Sequence, residues 1–196
     1  HEFVEGSICD RQLVDGLLRE HRPNRLINVA AETHVDRSID GPDAFIETNV
    51  VGTSRLLAAV RAHTAESGDA LRYVQVSTDE VYGTIDDGAF REGDPYRPNS
   101  PYAASKAGVV GMGIALAREF AREHIRVMTI SPGPFDTPLF ESMPPKAHQR
   151  LLEAAQFPSR AGKPSEYAQL VTSIIENPML NGESIRLDGA IRMGPR

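Results

Sequence analysis

A tyrosine and a lysine stand four residues apart in the run Ser100-Pro101-Tyr102-Ala103-Ala104-Ser105-Lys106. On a helix, side chains at i and i+4 share one face. A phenol, with a reference pKa of about 10, is a poor base at neutral pH. An ammonium one turn away favours the phenolate, so such a pair can trade a proton with a substrate hydroxyl. The spacing alone is common in helices that do no chemistry. A second run strengthens it: Val76-Ser77-Thr78-Asp79-Glu80-Val81-Tyr82-Gly83 follows directly on an apolar segment that reads as a buried strand. The carboxyl ends of strands in α/β sheets are where ligand sites are built. Adjacent carboxylates at Asp79 and Glu80, beside the Thr78 hydroxyl, are costly there unless solvated or used. The bland alternative is an acidic turn in which Asp79 caps whatever follows.

Other chemistries are poorly supported. Cys9 is the sole cysteine, which rules out an intramolecular disulfide and a thiolate zinc cage and leaves a small, partly buried hydrophobe. The six histidines, at 1, 21, 34, 63, 124 and 148, include no pair at helical metal-ligand spacing, so no metal is expected. With 196 residues, 40% hydrophobic and 24% charged, the chain suits one soluble domain. A net charge of −6 without a run of Lys and Arg argues against nucleic-acid binding. Absence of an apolar run near the ~20 residues of a membrane span, and of a signal peptide, predicts a cytoplasmic protein. The chain opens on His1 rather than Met, which suggests that a segment upstream is missing.

The elements that must position these residues alternate. Residues 2–8 read as a short strand, and Asp10 as the N-cap of a helix over 11–21 with Leu13, Val14, Leu17 and Leu18 on one face. Strands are expected at 26–30, 71–77, 125–130 and 184–187, and helices at 43–64, 101–123 and 165–176. Pro101 suits the first helical turn, where its missing N–H costs nothing. Five prolines between 132 and 145 predict a structured loop or lid. Alternating strands and helices imply an α/β, Rossmann-like doubly wound parallel sheet.

Residues 2–107 resemble the nucleotide-sugar dehydratases of the extended short-chain dehydrogenase/reductase superfamily, of the dTDP-glucose 4,6-dehydratase type. The resemblance is carried by Ala30-Ala31-Glu32-Thr33-His34-Val35-Asp36-Arg37-Ser38-Ile39, by Phe45-Ile46-Glu47-Thr48-Asn49-Val50-Val51-Gly52-Thr53, by Ser77 to Gly83, and by Ser100-Pro101-Tyr102. It implies that Tyr102 and Lys106 draw the proton from the sugar C4 hydroxyl as NAD takes the hydride, with Thr78 bonding the same oxygen. Glu80 would then remove the C5 proton and Asp79 protonate the departing C6 hydroxyl, and the hydride would finally return to C6. Ala30 and Ala31 would line the cofactor, and Asn49 would support the site from the neighbouring helix. Residues 104–196 instead resemble the classical short-chain enzymes of the type-2 3-hydroxyacyl-CoA dehydrogenase kind, through Ser105 to Met112, Ile125 to Leu139 and Ile175 to Ala190. That resemblance places Pro132, Gly133 and Thr137 at the nicotinamide end, with the proline-rich stretch as a lid over an acyl substrate.

The two likenesses meet at residues 102–107, as a hybrid spliced at an equivalent position would. Both kinds of enzyme begin with a glycine-rich turn that cradles the cofactor pyrophosphate, and no such pattern precedes the first expected helix. A single Rossmann-like domain over 1–196, lacking its first β-α-β unit, is therefore expected, with residues 2–8 either loose or paired abnormally against the strand at 26–30. Three functions follow. These are an NAD-dependent nucleotide-sugar dehydratase, a 3-hydroxyacyl-CoA or hydroxysteroid-type alcohol dehydrogenase, and an inactive fragment or dimerising module without cofactor binding. The superfamily likeness implies a homo-oligomer through helices 43–64 and 101–123, with Val109, Val110, Met112, Ile114 and Ala115 as contact candidates that equally suit a monomer core.

Overall fold

The computed structural model describes residues 1–83 and 95–191. Asp10 accepts a hydrogen bond from Leu13 N and opens α1 (Arg11–His21), which ends on Arg22 in the left-handed conformation. Val14 and Leu18 are the buried face of this helix. Strand β1 (Arg25–Asn28) follows, then α2 (Val35–Asp40) and α3 (Pro42–Phe45). A π-helical segment, Ile46–Gly52, runs into α4 (Thr53–Ser67), which closes on Gly68 at φ 73°. Strand β2 (Leu71–Val76) leads to a single 3-10 turn, Asp79–Tyr82. Helix α5 (Pro101–Glu119) and a 3-10 turn (Phe120–Glu123) precede β3 (Ile125–Pro132). Short α6 (Pro138–Glu141), then α7 (Pro145–Ala154), α8 (Pro164–Glu176) and β4 (Ser184–Leu187) complete the described chain.

The four strands form one sheet in the order β1-β2-β3-β4, parallel throughout. Parallel neighbours need crossover helices, and those helices cover the sheet. On one face α1, α4 and α5 bury Leu56, Val60, Leu71, Tyr73, Ile125 and Val127. On the other, α8 seals Val74, Met128 and Ile130 with Val171 and Ile174. Burying each such aliphatic side chain contributes roughly 1.5–3 kcal/mol. The cover on the α8 side stops short of β1, where Ile27 is 45% exposed.

Three expectations are corrected. Residues 2–8 form no strand and do not pair with β1; Phe3 and Val4 are exposed, while Ile8 packs against the α1–α4 core. A strand needs a hydrogen-bonded neighbour, and the half-buried Ile8 packs instead against helical core residues. The stretch 132–145 is not simply a loop. Prolines at 138 and 145 occupy N1 positions and start α6 and α7, and Pro132 closes β3. Finally, 43–64 is not one regular helix but an α-π-α succession.

Among the described residues no helix is long and apolar enough to cross a membrane, and no three His, Cys, Asp or Glu side chains are grouped to hold a metal ion. Cys9 is half-buried, its Sγ 3.5 Å from the Glu47 carbonyl oxygen. Of the contact candidates on α5, Val109 and Val110 belong to the core, Met112 is half-buried, and Ile114 and Ala115 are exposed.

Candidate active site

The site lies at the carboxyl edge of the sheet, where β2 hands over to α5. Ser100 caps α5 by accepting from Ala103 N at 3.0 Å, and Pro101 fixes the first turn. That start holds Tyr102 and Lys106 at 8% and 4% exposure. The Tyr102 ring meets Phe45 edge-on at 6.4 Å, and its backbone N–H donates to Ser38 Oγ at 3.2 Å. Its hydroxyl is hydrogen-bonded to Thr78. Thr78 also accepts from Glu80 N at 3.3 Å, and its Oγ1 lies 3.4 Å from Asp79 Oδ1. Tyr102, Thr78, Asp79 and Glu80 therefore share one neighbourhood.

Lys106 behaves differently from the sequence expectation. Its Nζ donates to the Val76 carbonyl oxygen at 3.1 Å, and burial pulls its pKa down to about 8. Tyr102 is not activated by it in this state. Burial raises the phenol well above its usual range, Glu80 and Asp79 raise it further, and only the bond to Thr78 opposes them. Asp79 is 6% exposed, and its Oδ2 has no partner among the described residues. Burial, with help from Asp188 and Glu80 and against the pull of Arg186, raises its pKa to about 7. An acid that holds its proton near neutrality is what a leaving hydroxyl requires.

Arg186 and Asp188, at the end of β4, were not singled out from the sequence. Their ion pair is 2.5 Å long, and the Arg186 guanidinium stands 4.3 Å over the Tyr82 ring. The available signal was position, since both stand at the carboxyl end of a parallel strand. Gly83 closes the acidic turn at φ 76°, where an added Cβ would fall 1.9 Å from the Arg97 carbonyl oxygen, so this backbone requires glycine.

The residues expected around a cofactor are arranged unevenly. Asn49, on the π segment, donates to the Glu32 carbonyl at 3.0 Å and to Ser105 Oγ at 2.9 Å, and accepts from Glu32 N at 2.9 Å. It ties the loop after β1 to α5. Ala30 is exposed and Ala31 half-buried on that loop. Gly133 donates to the Leu187 carbonyl oxygen at 3.1 Å, and a Cβ there would lie 2.8 Å from Asp188 Cβ. Thr137 is spent locally, capping α6 through Phe140 N and donating to the Phe135 carbonyl. Pro132 ends β3 beside them. Replacing Asn49 by alanine is expected to cost roughly 2–4 kcal/mol, since it strands two backbone groups and a hydroxyl in a buried place. Urea unfolding measures this loss, and a change under about 0.5 kcal/mol would remove Asn49 from its tethering role.

A wholly parallel sheet with a Tyr-Lys pair on the helix after its second described strand, facing a hydroxyl at the preceding strand end, defines a short-chain dehydrogenase/reductase-type domain. Residues 1–130 match the sequence family of the GDP-mannose 4,6 dehydratases, and the chain belongs to that family. A dTDP-glucose 4,6-dehydratase of Xanthomonas campestris is 59% identical over 112 residues, covering 55% of this chain and 32% of that protein. The type-2 3-hydroxyacyl-CoA dehydrogenase of Rattus norvegicus is 46% identical over 177 residues, covering 86% of this chain and 64% of that protein. The chain thus spans less than two thirds of either. A solved dTDP-glucose 4,6-dehydratase double mutant from Streptomyces venezuelae, with NAD bound, superposes with TM-score 0.73 at 33% identity, over 97% of this chain and 59% of that one.

Proposed function

We propose that the chain carries the catalytic residues of an NAD-dependent nucleotide-sugar 4,6-dehydratase acting in the cytoplasm. The observation that supports this best is the cluster of buried Tyr102, Thr78 and Asp79 with half-buried Glu80, in which Asp79 keeps a proton close to neutral pH. Plain alcohol oxidation has no use for that carboxylic acid; elimination of water does.

The residues present fit the nicotinamide end of NAD. Lys106 is a buried cation at the sheet edge, Ala30 is exposed two residues past β1, and Asn49 fixes the backbone of the loop that follows. A glycine-rich pyrophosphate cradle is not among these 196 residues, so this chain by itself is expected to hold the cofactor weakly. NAD, when bound, would supply the acceptor for the C4 hydride and the donor that returns that hydride to C6. Tyr102 then accepts the proton of the sugar C4 hydroxyl, with Thr78 holding the same oxygen. Glu80 takes the C5 proton and returns it as C6 is reduced, and Asp79 gives its own to the departing C6 hydroxyl. Residues 43–64 and 101–123, with Ile114 and Ala115 exposed, are the faces proposed to pair two subunits.

The alternative, NAD-linked oxidation of a 3-hydroxyacyl-CoA or hydroxysteroid, is favoured by α6 and α7, which follow β3 where an acyl lid would stand. The two family likenesses are proposed to join on α5 near 102–107. Incubation with dTDP-glucose and NAD is expected to yield a 4-keto-6-deoxy sugar with no net NADH. Accumulating NADH without deoxy sugar would favour the alternative. An absence of saturable NAD binding at millimolar cofactor would leave the chain a non-catalytic fragment.

A further inference from the structure

At the opposite, amino-terminal edge of the sheet the parallel register sets Arg25 beside Arg72, and Arg72 beside Arg126. In-register residues of parallel strands point to one face, about 4.8 Å from strand to strand. These three residues lie 47 and 54 positions apart in a chain of net charge −6, so only the fold assembles them. The face is the one sealed by α8, since Arg126 donates to the Ile174, Ile175 and Leu180 carbonyl oxygens at 3.1, 2.9 and 2.6 Å.

That clamp fixes the Arg126 guanidinium and uses three of its five N–H donors. Beside it opens a cavity of about 300 Å³, whose polar lining is Arg72, Arg126, His124 and Asn181. Among the described residues no carboxylate lines it. Asn181 turns its Oδ1 to Val127 N, which leaves its NH₂ as a donor. The Arg72 backbone is bonded to Asn24, but its guanidinium has no hydrogen-bond or ion-pair partner among the described residues, and the nearby Asp69 is engaged by Arg22 at 2.7 Å. The polar rim is therefore rich in donors and cations, with one guanidinium preorganised by backbone carbonyls. Two like charges side by side raise each other's energy until an anion joins them.

We propose that this pocket is a phosphate subsite, independent of the site at Tyr102, that binds a free phosphate or the phosphoryl group of a small metabolite. Arg72 supplies the main charge, Arg25 extends it along the rim, and Arg126 with Asn181 sets the orientation. Guanidinium groups suit this class because they meet phosphate oxygens with paired, charge-assisted bonds.

The test is a titration of the intact chain at low ionic strength, followed by NMR of backbone amides and arginine Nε–H groups. Inorganic phosphate, phenyl phosphate and acetate serve as separate probes. Saturable shifts confined to Arg25, Arg72, His124, Arg126 and Asn181 are expected with both phosphates, while Tyr102 and Lys106 stay still. Equal affinity for the two identifies free phosphate as the ligand, and tighter phenyl phosphate an esterified one. Arg72→Gln is expected to weaken binding roughly tenfold. Arg25→Gln, on an exposed side chain, is expected to weaken it about threefold and serves if the first variant does not fold. Shifts that rise linearly, that acetate reproduces, or that survive both substitutions would overturn the proposal.

Discussion

Replacing Tyr102 by phenylalanine is expected to lower turnover about a thousandfold while leaving the fold standing, the loss typical of a removed general acid–base group. The ring keeps its edge-on contact with Phe45, and the backbone keeps its bond to Ser38. Only the hydroxyl bonded to Thr78 is lost, a change worth about 1 kcal/mol of stability. Near-normal thermal unfolding with abolished chemistry is thus the signature to look for. The pH profile carries a second expectation. Burial, Glu80 and Asp79 all hold the proton on Tyr102, so proton acceptance from a substrate hydroxyl becomes easier as pH rises, whereas proton donation in the reverse direction stays level through neutrality. Substantial turnover in Tyr102→Phe, or an oxidation rate flat between pH 6 and about 10, would remove Tyr102 from the mechanism.

How much of this was legible in the sequence depends on the range of the interactions involved. The α1 cap at Asp10, the Pro101 start of α5 and the buried strand at 71–76 are local, and they read correctly from residue type and spacing. That Tyr102 and Lys106 lie together on the buried side of α5 was legible for the same reason, since four residues on a helix fix a face. The π segment was not legible. One wider turn rotates Asn49 and Gly52 inward, and apolar periodicity does not register it because both residues are polar or small. Also hidden were groupings that depend on strand register. Arg186 and Asp188 lie over a hundred residues from Asp79, and the arginines of β1, β2 and β3 meet only because three strands run in step. Lys106 was located correctly but its electrostatic effect was not. A charge one turn away does little for a phenol when its Nζ is committed to a carbonyl oxygen and the phenol faces two carboxylates.

Those carboxylates yield the second large effect. Asp79 is expected to destabilise the fold above neutral pH, and Asp79→Asn to relieve it. The folded-state pKa is raised from an ordinary 3.8 to about 7. Between those values the native state binds a proton that the unfolded chain has released, so stability falls as pH rises. Below about pH 4 both states are protonated and nothing is lost, whereas above pH 7 the full cost is present. Asp79→Asn keeps the shape and cannot ionise. It is expected to match the wild type at pH ~3 and to exceed it by roughly 2–4 kcal/mol at pH ~8, with the difference growing through the window. Asp188→Asn, which removes a neighbouring negative charge, should shrink that difference, and loss of Arg186 should widen it, because the arginine opposes the shift. The same Asp79→Asn protein is expected to oxidise C4 but to eliminate water poorly, and so to stall with reduced cofactor. A gain in stability joined to a loss of one chemical step marks a residue kept for its acidity rather than its packing. Equal stability of the two proteins at pH 8, or undiminished elimination by the asparagine variant, would show that Asp79 is an ordinary solvated turn carboxylate.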